Sequence, residues 1–405
     1  MDKHIPLKRT LSLPMMVLYG LGTTIGAGIY ALVGEVAGLA GYFAPISFLI
    51  ASLIAGFTAI SFAELSSRFP RAAGAALYVQ QGFSLQGLSL VVGLLVIAAG
   101  LVSASALVNA FVGYLHQFVD FDSTVIIVVT VTLLGALAVW GIFESVLAAA
   151  LITLIEVGGL LLVIYGSAPA VFETMDVWSK LIPPAEGMVW AGIFSGTILA
   201  FYAFIGFEDM VDVAEEVKVV KKTLPRAILL TLGITTILYF ILLVSAVLAM
   251  PPGELAKSEA PLADIYAYHT GGDAMIISVI GLFAIINGAL IQMIMASRVL
   301  YGLSSRAQLP ELLCYVHPKT RTPVVATLLA TATVLMLALI GTLAGLAAAT
   351  SILMLVVFSL VNLSLWRIKM RGPAPAEATV FPLWVPVVGF MTSSLFVAIE
   401  LAMLF

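Results

Sequence analysis

Long apolar runs separated by short polar segments restrict the fold of this sequence more than any other feature. A helix needs about 20 apolar residues to cross a bilayer, and eleven stretches of the 405-residue chain approach or exceed that length. Only 10% of the residues are charged, whereas a soluble domain carries about 25%. The pattern predicts an all-α polytopic membrane protein. The predicted spans are 13–40, 42–66, 84–113, 122–142, 145–167, 189–213, 225–250, 274–304, 322–343, 345–366 and 382–405.

The basic residues predict an orientation for these spans. If the N-terminus is cytoplasmic, only Lys180 and Lys257 of the 18 Lys and Arg residues fall in outside segments. Cytoplasmic loops of membrane proteins are enriched in Lys and Arg. The basic start MDKHIPLKRT leads into a span longer than the apolar core of a cleavable signal peptide. We therefore expect a multi-pass protein of the plasma membrane with a cytoplasmic N-terminus, forming one transmembrane domain over 1–405.

Composition argues against several other classes of protein. The single cysteine, Cys314, has no partner for an internal disulfide, and the four histidines show no metal-ligand spacing. The basic residues form no patch typical of nucleic-acid binding. No H-E-x-x-H motif or catalytic acid pair indicates an intramembrane enzyme, and no filter-like repeat indicates a channel. We expect no cofactor, no metal and no nucleic acid.

The first span contains the stretch GTTIGAGIY, from Gly22 to Tyr30, in which three glycines interrupt an apolar run. Glycine weakens a helix by about 1 kcal/mol relative to alanine. In lipid, backbone groups released by a helix break need new partners. The stretch therefore predicts a break at Gly26 to Gly28, although glycines in membrane helices also serve close helix packing.

The sixth span carries a similar interruption in GIFSGTILAFYAFIGFEDMVDVAEEV, with Gly206 in its middle. Five spans separate the starts of the two interrupted helices, and an odd-numbered repeat inserts its copies with opposite orientation. Two discontinuous helices at corresponding positions are typical of inverted-repeat transporters. The predicted repeats cover about 13–167 and 189–366, with one extra span at 382–405.

Five stretches together resemble the amino acid-polyamine-organocation (APC) superfamily of permeases. They are GTTIGAGIY, FYAFIGFED, SFAELSSRFPRAAG from Ser61, AEEVKVVKKTLPRAI from Ala214, and SRVLYGLSSRAQLPELLCYVHPKTRTP from Ser297. The resemblance implies two inverted five-helix repeats, with the substrate held between helices one, three, six and eight. Many members have twelve helices rather than eleven, and often Ser or Thr at the position of Ala27.

The two predicted breaks suit the two charged groups of an α-amino acid. Free N–H groups around Gly26, Ala27 and Gly28 lie at a positive helix end and suit the carboxylate. Carbonyls around Phe201, Tyr202 and Ile205 suit the ammonium, and the aromatic character of this segment favours a neutral or apolar side chain. The predicted substrate-binding residues are Thr23, Thr24, Ile25, Gly26, Ala27, Gly28, Phe201, Tyr202, Phe204, Ile205 and Gly206.

Glu156 and Glu208 are the candidates for proton coupling. Glu156 lies in the middle of the fifth span, where an ionisable residue is a functional candidate. Aligned through GIFES, Gly141 to Ser145, some proton-dependent relatives in the resembling family have lysine at this position. The alternatives for Glu156 are direct binding of a cation, with help from carbonyls of helix one, and an interhelical packing role. The alternative for Glu208 is capping of the inner half-helix.

Other polar residues in the spans have simpler interpretations. Asp209 and Asp212 are expected to be solvated near the cytoplasm. Glu64 and Arg68, four residues apart, are expected to form an ion pair on a helix surface. Asn287 faces either the substrate site or a neighbouring helix, where amides bind helices together.

These features favour a secondary transporter that moves amino acids by alternating access, with protons as the expected coupling ion in symport. An uncoupled exchanger of amino acids or amines, operating by antiport, and a transporter-like nutrient sensor remain alternatives. The expected partners are the amino acid substrate and the lipid bilayer, and the sequence leaves the oligomeric state open.

Overall fold

A computed structural model describes residues 9–71, 74–141, 146–172, 175–305 and 307–404, and the regular elements of these residues are helices. Four short 3₁₀ helices, including Phe207–Glu216, accompany the α-helices. The α-helices are α1 (Leu13–Ala40), α2 (Ala44–Arg68), α3 (Gly74–Phe83), α4 (Gln86–Leu115), α5 (Ser123–Trp140), α6 (Val146–Phe172), α7 (Gly187–Tyr202), α8 (Val220–Ala249), α9 (Pro252–Leu255), α10 (Pro261–Thr270), α11 (Met275–Ser305), α12 (Val324–Ile340), α13 (Leu343–Arg371) and α14 (Trp384–Leu404).

Each of the predicted spans overlaps an α-helix of 16 or more residues, which confirms the all-α polytopic class. Nine helical stretches in the described parts of the chain are long and apolar enough to cross a membrane, and one of them joins the C-terminal half of α1 to α2. Leu13–Gly26 and Val324–Ile340 are shorter apolar helices. The inverted repeats and the count of eleven crossings stay predictions. The predicted span limits at 142, 145 and 405 lie outside the described residues.

Local sequence signals mark several helix ends. Asp122 precedes α5, and its side chain accepts hydrogen bonds from the N–H groups of Thr124 and Val125. Gly141 ends the same helix with φ 84°, a left-handed conformation that glycine adopts at no steric cost. Thr342 caps α13 by accepting from the N–H of Gly345. These caps satisfy backbone groups that a helix end leaves without partners.

The helices pack into one bundle around α4, α2 and α13. Helix α4 packs against α11 and α13, α2 packs along α8, and α14 covers α13 and α2. Asn362 on α13 links two of these helices, because its amide donates to Thr58 Oγ1 at 2.8 Å and accepts from Ser61 Oγ at 2.6 Å. Such buried polar contacts hold helices together where lipid supplies no hydrogen bonds.

The expected surface ion pair of Glu64 and Arg68 was wrong, because the structure buries it. The side chains of Glu64 and Arg68 are 0% and 5% exposed, and Lys369 of α13 joins them with its Nζ 2.8 Å from both carboxylate oxygens. The N–H of Phe381 donates to the same carboxylate at 2.9 Å. Glu64 therefore anchors α13 and the segment before α14 to the end of α2.

Candidate functional site

Helix α1 is broken at Gly26, whose φ of 5° and ψ of −135° lie far from helical values. Ala27 and Gly28 return to helical geometry, so the break is confined to a single residue of the predicted segment. The C-terminal half of the helix begins there, and the first N–H groups of a helix have no intrahelical partners. The side chain of Ala27 lies outside the described residues.

The second break separates α7 from the 3₁₀ helix Phe207–Glu216. Helix α7 ends at Tyr202, residues 203–206 form turns, and Gly206 has φ 126°. A side chain at this φ is strained, which explains why glycine stands there. The carbonyls of Phe201 and Tyr202 accept from the N–H groups of Phe204 and Ile205 within the turn.

The two breaks touch each other directly. A Cβ atom added to Gly206 would overlap the backbone carbonyl of Thr23. Thr23 Oγ1 lies 2.9 Å from the carbonyl oxygen of Gly206, to which it donates. Beyond the break, a Cβ on Gly28 would come within 3.0 Å of Ala203 Cα. Glycines at 28 and 206 thus allow the two interrupted helices to meet backbone to backbone.

Tyr239 of α8 links the carbonyl ends of both interrupted helices. Its buried hydroxyl lies 3.1 Å from the carbonyl oxygen of Thr24 and 3.1 Å from that of Ala203. A hydroxyl donates one proton, so it serves one of the two carbonyls at a time. Carbonyl oxygens from both breaks therefore converge on one point, as a bound ammonium group would require.

A small cavity of about 40 Å³ lies against both breaks. Its walls come from α1, α4, α7 and α11, which are the first, third, sixth and eighth predicted spans. Thr24 borders it, and its buried Oγ1 has no hydrogen-bond partner among the described residues. The cavity is lined by Gly22, Thr23, Thr24, Gly26, Gly28, Ser103, Leu107, Tyr202, Ile205, Asp209, Gly288, Ile291 and Gln292.

Ser103 and Gln292 belong to the site although sequence reasoning missed them. Ser103 Oγ lies 2.8 Å from the Tyr202 hydroxyl, which joins α4 to the end of α7. Gln292 borders the small cavity and also a second cavity beside it. Both residues lie in long apolar helices without a local motif, so their only sequence signal is a polar residue in a predicted span.

A second cavity of about 110 Å³ adjoins the first and shares Ser103, Ile205, Asp209 and Gln292 with it. Glu208, Asp209 and Asp212 line this cavity and are half-buried. The expectation that Asp209 and Asp212 are solvated was wrong, because the 3₁₀ helix turns them inward. Glu208 Oε2 accepts from the N–H of Gly206 at 2.9 Å, the capping geometry considered for it.

Three other predicted residues contribute no side chain to the small cavity. Phe201 packs on Phe358 of α13 with ring centroids 5.8 Å apart, and Phe204 packs on Tyr239 at 5.3 Å. Ile25 is fully buried in the core. Phe201 and Phe204 therefore pack against neighbouring helices and not against the cavity. Of the three aromatic residues predicted to line the site, only Tyr202 does so.

Glu156 lies on α6 away from the break cavity. Its side chain is 2% exposed and lines a separate apolar cavity between α5, α6 and α11 together with Asn287. Its backbone carbonyl accepts a hydrogen bond from the Tyr30 hydroxyl at 2.7 Å, which connects it to the C-terminal half of α1. Asn287 thus borders this cavity between α5, α6 and α11 and is not part of the wall of the break cavity.

Two interrupted helices that meet at one cavity in a polytopic helical bundle define the transporter class of membrane protein. The sequence matches the model of the amino acid permease family over residues 10–405. The chain belongs to this family.

Named relatives agree with that assignment. Cationic amino acid transporter 3, mitochondrial, of Arabidopsis thaliana is 29% identical over 389 residues, covering 91% of this chain and 64% of its own length. The branched-chain amino acid permease BcaP of Bacillus subtilis is 28% identical over 350 residues, covering 79% of this chain and 72% of its own. An uncharacterized transporter of Mycobacterium tuberculosis is 29% identical, with 95% and 84% covered. The chain thus spans less than two thirds of the plant relative, and these relatives bear transporter or permease names, not enzyme names.

Proposed function

We propose that this protein transports amino acids across the plasma membrane, with its N-terminus in the cytoplasm. The observation that carries the proposal is the convergence of two helix breaks on one cavity. The N–H groups at the start of the outer half of α1 bind the substrate carboxylate. The carbonyls of Thr24 and Ala203, now served by Tyr239, bind its ammonium. Alternating access moves the two proposed repeats, 13–167 and 189–366, around this point.

The side chain of the substrate is proposed to be neutral. Leu107, Tyr202, Ile205 and Ile291 line the small cavity beside the breaks and offer mainly apolar surface. Ser103 and Gln292 add neutral polar groups. A branched-chain permease among the relatives has a name consistent with such a substrate.

A cationic substrate is the second candidate because of the acidic residues beside the site. Asp209 borders both cavities, and Glu208 and Asp212 border the larger one. Carboxylates in a confined space attract a second positive charge on the substrate. The name of the Arabidopsis relative agrees with this alternative.

A thermal-shift screen of the purified protein against the common amino acids tests the substrate assignment, with Gly26→Val as the binding-deficient variant. A ligand at about 100 times its Kd stabilises the folded state by about 2.7 kcal/mol. Position 26 has open space, with no non-neighbouring heavy atom within 4 Å of an added Cβ. The valine side chain therefore enters the cavity. We expect the variant to insert into the membrane and fold, but to show no ligand-induced rise in melting temperature.

The screen distinguishes a neutral substrate from a cationic one, and it also shows when neither class binds. A shift with leucine-like amino acids supports the neutral substrate, whereas a shift with arginine and lysine supports the cationic one. Uptake into proteoliposomes then separates a transporter from a sensor. An equal shift in wild type and Gly26→Val contradicts the assignment of the carboxylate to the α1 break.

Coupling to protons is proposed to run through Glu156. A permanently ionised carboxylate at this depth costs several kcal/mol. Glu156 is therefore assigned a proton that it releases and regains as the protein changes conformation. Tyr30 joins the Glu156 backbone to the outer half of α1, the helix that contacts substrate.

Glu156→Gln is expected to keep exchange of labelled substrate between equal pools and to lose accumulation driven by an inward proton gradient. Glutamine keeps the shape of the side chain but has no proton to release. Glu208→Gln, tested in parallel, identifies the other candidate. Full gradient-driven accumulation by Glu156→Gln contradicts the proposal, and an uncoupled exchanger predicts no gradient response in the wild type either.

A further inference from the structure

One face of α8 carries two cations followed by an apolar stripe. The exposed residues repeat at intervals of four or three, so they lie above one another along a single helix face. The neighbouring residues of the helix are mostly buried or half-buried. The stripe consists of the cations Lys222 and Arg226 and the exposed residues Leu230, Gly233, Ile234, Ile237 and Ile241.

A cavity of about 900 Å³ lies at the cationic end of this stripe. Arg9, Lys221, Lys222 and Arg226 contribute four cationic side chains to its walls, and Glu377 contributes one carboxylate. The segment 376–381 closes the other side. The cavity therefore has an excess of positive charge.

Only one of these cations has an acidic partner within the described ranges. Lys221 Nζ lies 2.9 Å from Glu377 Oε2, whereas the salt bridges found there include none from Arg9, Lys222 or Arg226. The hydrogen bond from Lys221 and the charges of Lys221 and Lys222 lower the pKa of the Glu377 carboxyl below its ordinary value. The cavity thus already stabilises one negative charge and has cations available for another.

The apolar part of the stripe distinguishes a lipid from a soluble anion. Leu229 lines the cavity itself, and Leu230 follows directly on the exposed face. Ile237 is 63% exposed and Ile241 44% exposed, and both lie within a helix long enough to span the membrane, where exposed apolar side chains contact lipid. Inorganic phosphate has no apolar group that could contact this surface, whereas an acyl chain of a bound lipid would cover it.

We propose that this cavity binds the headgroup of an anionic phospholipid whose acyl chain lies along α8. Lys222 and Arg226 contact the phosphate, and Arg9 approaches it from the segment that precedes α1. Basic pockets at the cytoplasmic side of membrane helices suit anionic headgroups, and the distribution of Lys and Arg predicts that this end of α8 is cytoplasmic. The ligand also connects α8 to the segment that leads into α14.

Thermal stability in detergent, measured without substrate, tests the site with three additives: short-chain phosphatidylglycerol, short-chain phosphatidylcholine and inorganic phosphate. We expect phosphatidylglycerol to raise the melting temperature of the wild type and the other two to have little effect. Lys222→Gln/Arg226→Gln is expected to weaken apparent phosphatidylglycerol affinity by about thirtyfold, since each basic residue near an anionic surface contributes roughly fivefold to the affinity.

Lys257→Gln/Lys319→Gln is the matched control, because it removes the same charge from exposed positions outside the cavity. Glu377→Gln removes the competing carboxylate and is expected to strengthen phosphatidylglycerol binding, an effect that loss of folding does not produce. Equal stabilisation by inorganic phosphate assigns the cavity to a free anion and overturns the lipid proposal. Equal affinity in the cavity and control variants overturns the site itself.

Discussion

Gly206→Ala is expected to abolish substrate binding and to destabilise the protein by at least about 2 kcal/mol. A non-glycine residue in a sparsely populated positive-φ region costs of order 1–3 kcal/mol, and Gly206 has φ 126°. The methyl group would also overlap the carbonyl of Thr23, so the two breaks would have to separate. Melting temperature and the ligand-induced shift of the purified variant measure the two effects.

Gly233→Ala provides the matched glycine control. Gly233 lies within α8 and faces outward, and a Cβ added there meets no non-neighbouring heavy atom within 4 Å. Alanine is favoured over glycine inside a helix by about 1 kcal/mol. For this control we expect unchanged substrate binding and, without added lipid, equal or higher stability of the folded protein. A Gly206→Ala protein that binds substrate like this control would contradict the close contact of the two breaks.

Glu64→Ala is expected to cost about 3–5 kcal/mol, because it leaves two buried cations without their carboxylate. Arg68 and Lys369 both bind Glu64, and their side chains are 5% and 9% exposed. The N–H of Phe381 loses its acceptor as well. Denaturation of the reconstituted protein measures the loss, and proteolysis near Phe381 reports the release of the segment before α14.

Glu254→Ala is the comparison for a solvent-exposed pair. Glu254 contacts Lys257 at 3.2 Å with both side chains mostly exposed, and such pairs contribute about 0–1 kcal/mol. The structure predicts a clear difference between the two variants. Equal stability of Glu64→Ala and Glu254→Ala would show that the Glu64 cluster contributes no more than a surface pair.

The helices and both breaks were predictable because their signals are local. Membrane helices are long apolar runs, and Gly26 and Gly206 stand out within two of them. The Glu64 cluster was not predictable in the same way. Arg68 is four residues away and suggests a simple surface pair, but Lys369 lies 305 residues away in the sequence. Contacts at that separation depend on the packing of α2 against α13.

Side-chain direction within a correctly predicted helix was the other limit. Gln292 borders the break cavity whereas Asn287 lines the cavity beside Glu156. Five residues correspond to about 140° of rotation around a helix of 3.6 residues per turn, so the two amides point to different neighbours. Phe201 and Tyr202 differ by one residue, about 100°, and only Tyr202 reaches the cavity. Apolar residues on all sides of a helix give no indication of which face is inward.

The contact between Gly206 and Thr23 also limits how the protein moves. With backbone against backbone, neither broken helix has room to slide past the other, and Thr23 Oγ1 fastens them at the same level. Rotation about this contact displaces the distant ends of α1 and α7 while leaving their crossing point in place. In the proposed transport cycle the crossing is therefore the point about which the two helices rotate, with the proposed substrate site beside it and the largest displacements at the helix ends.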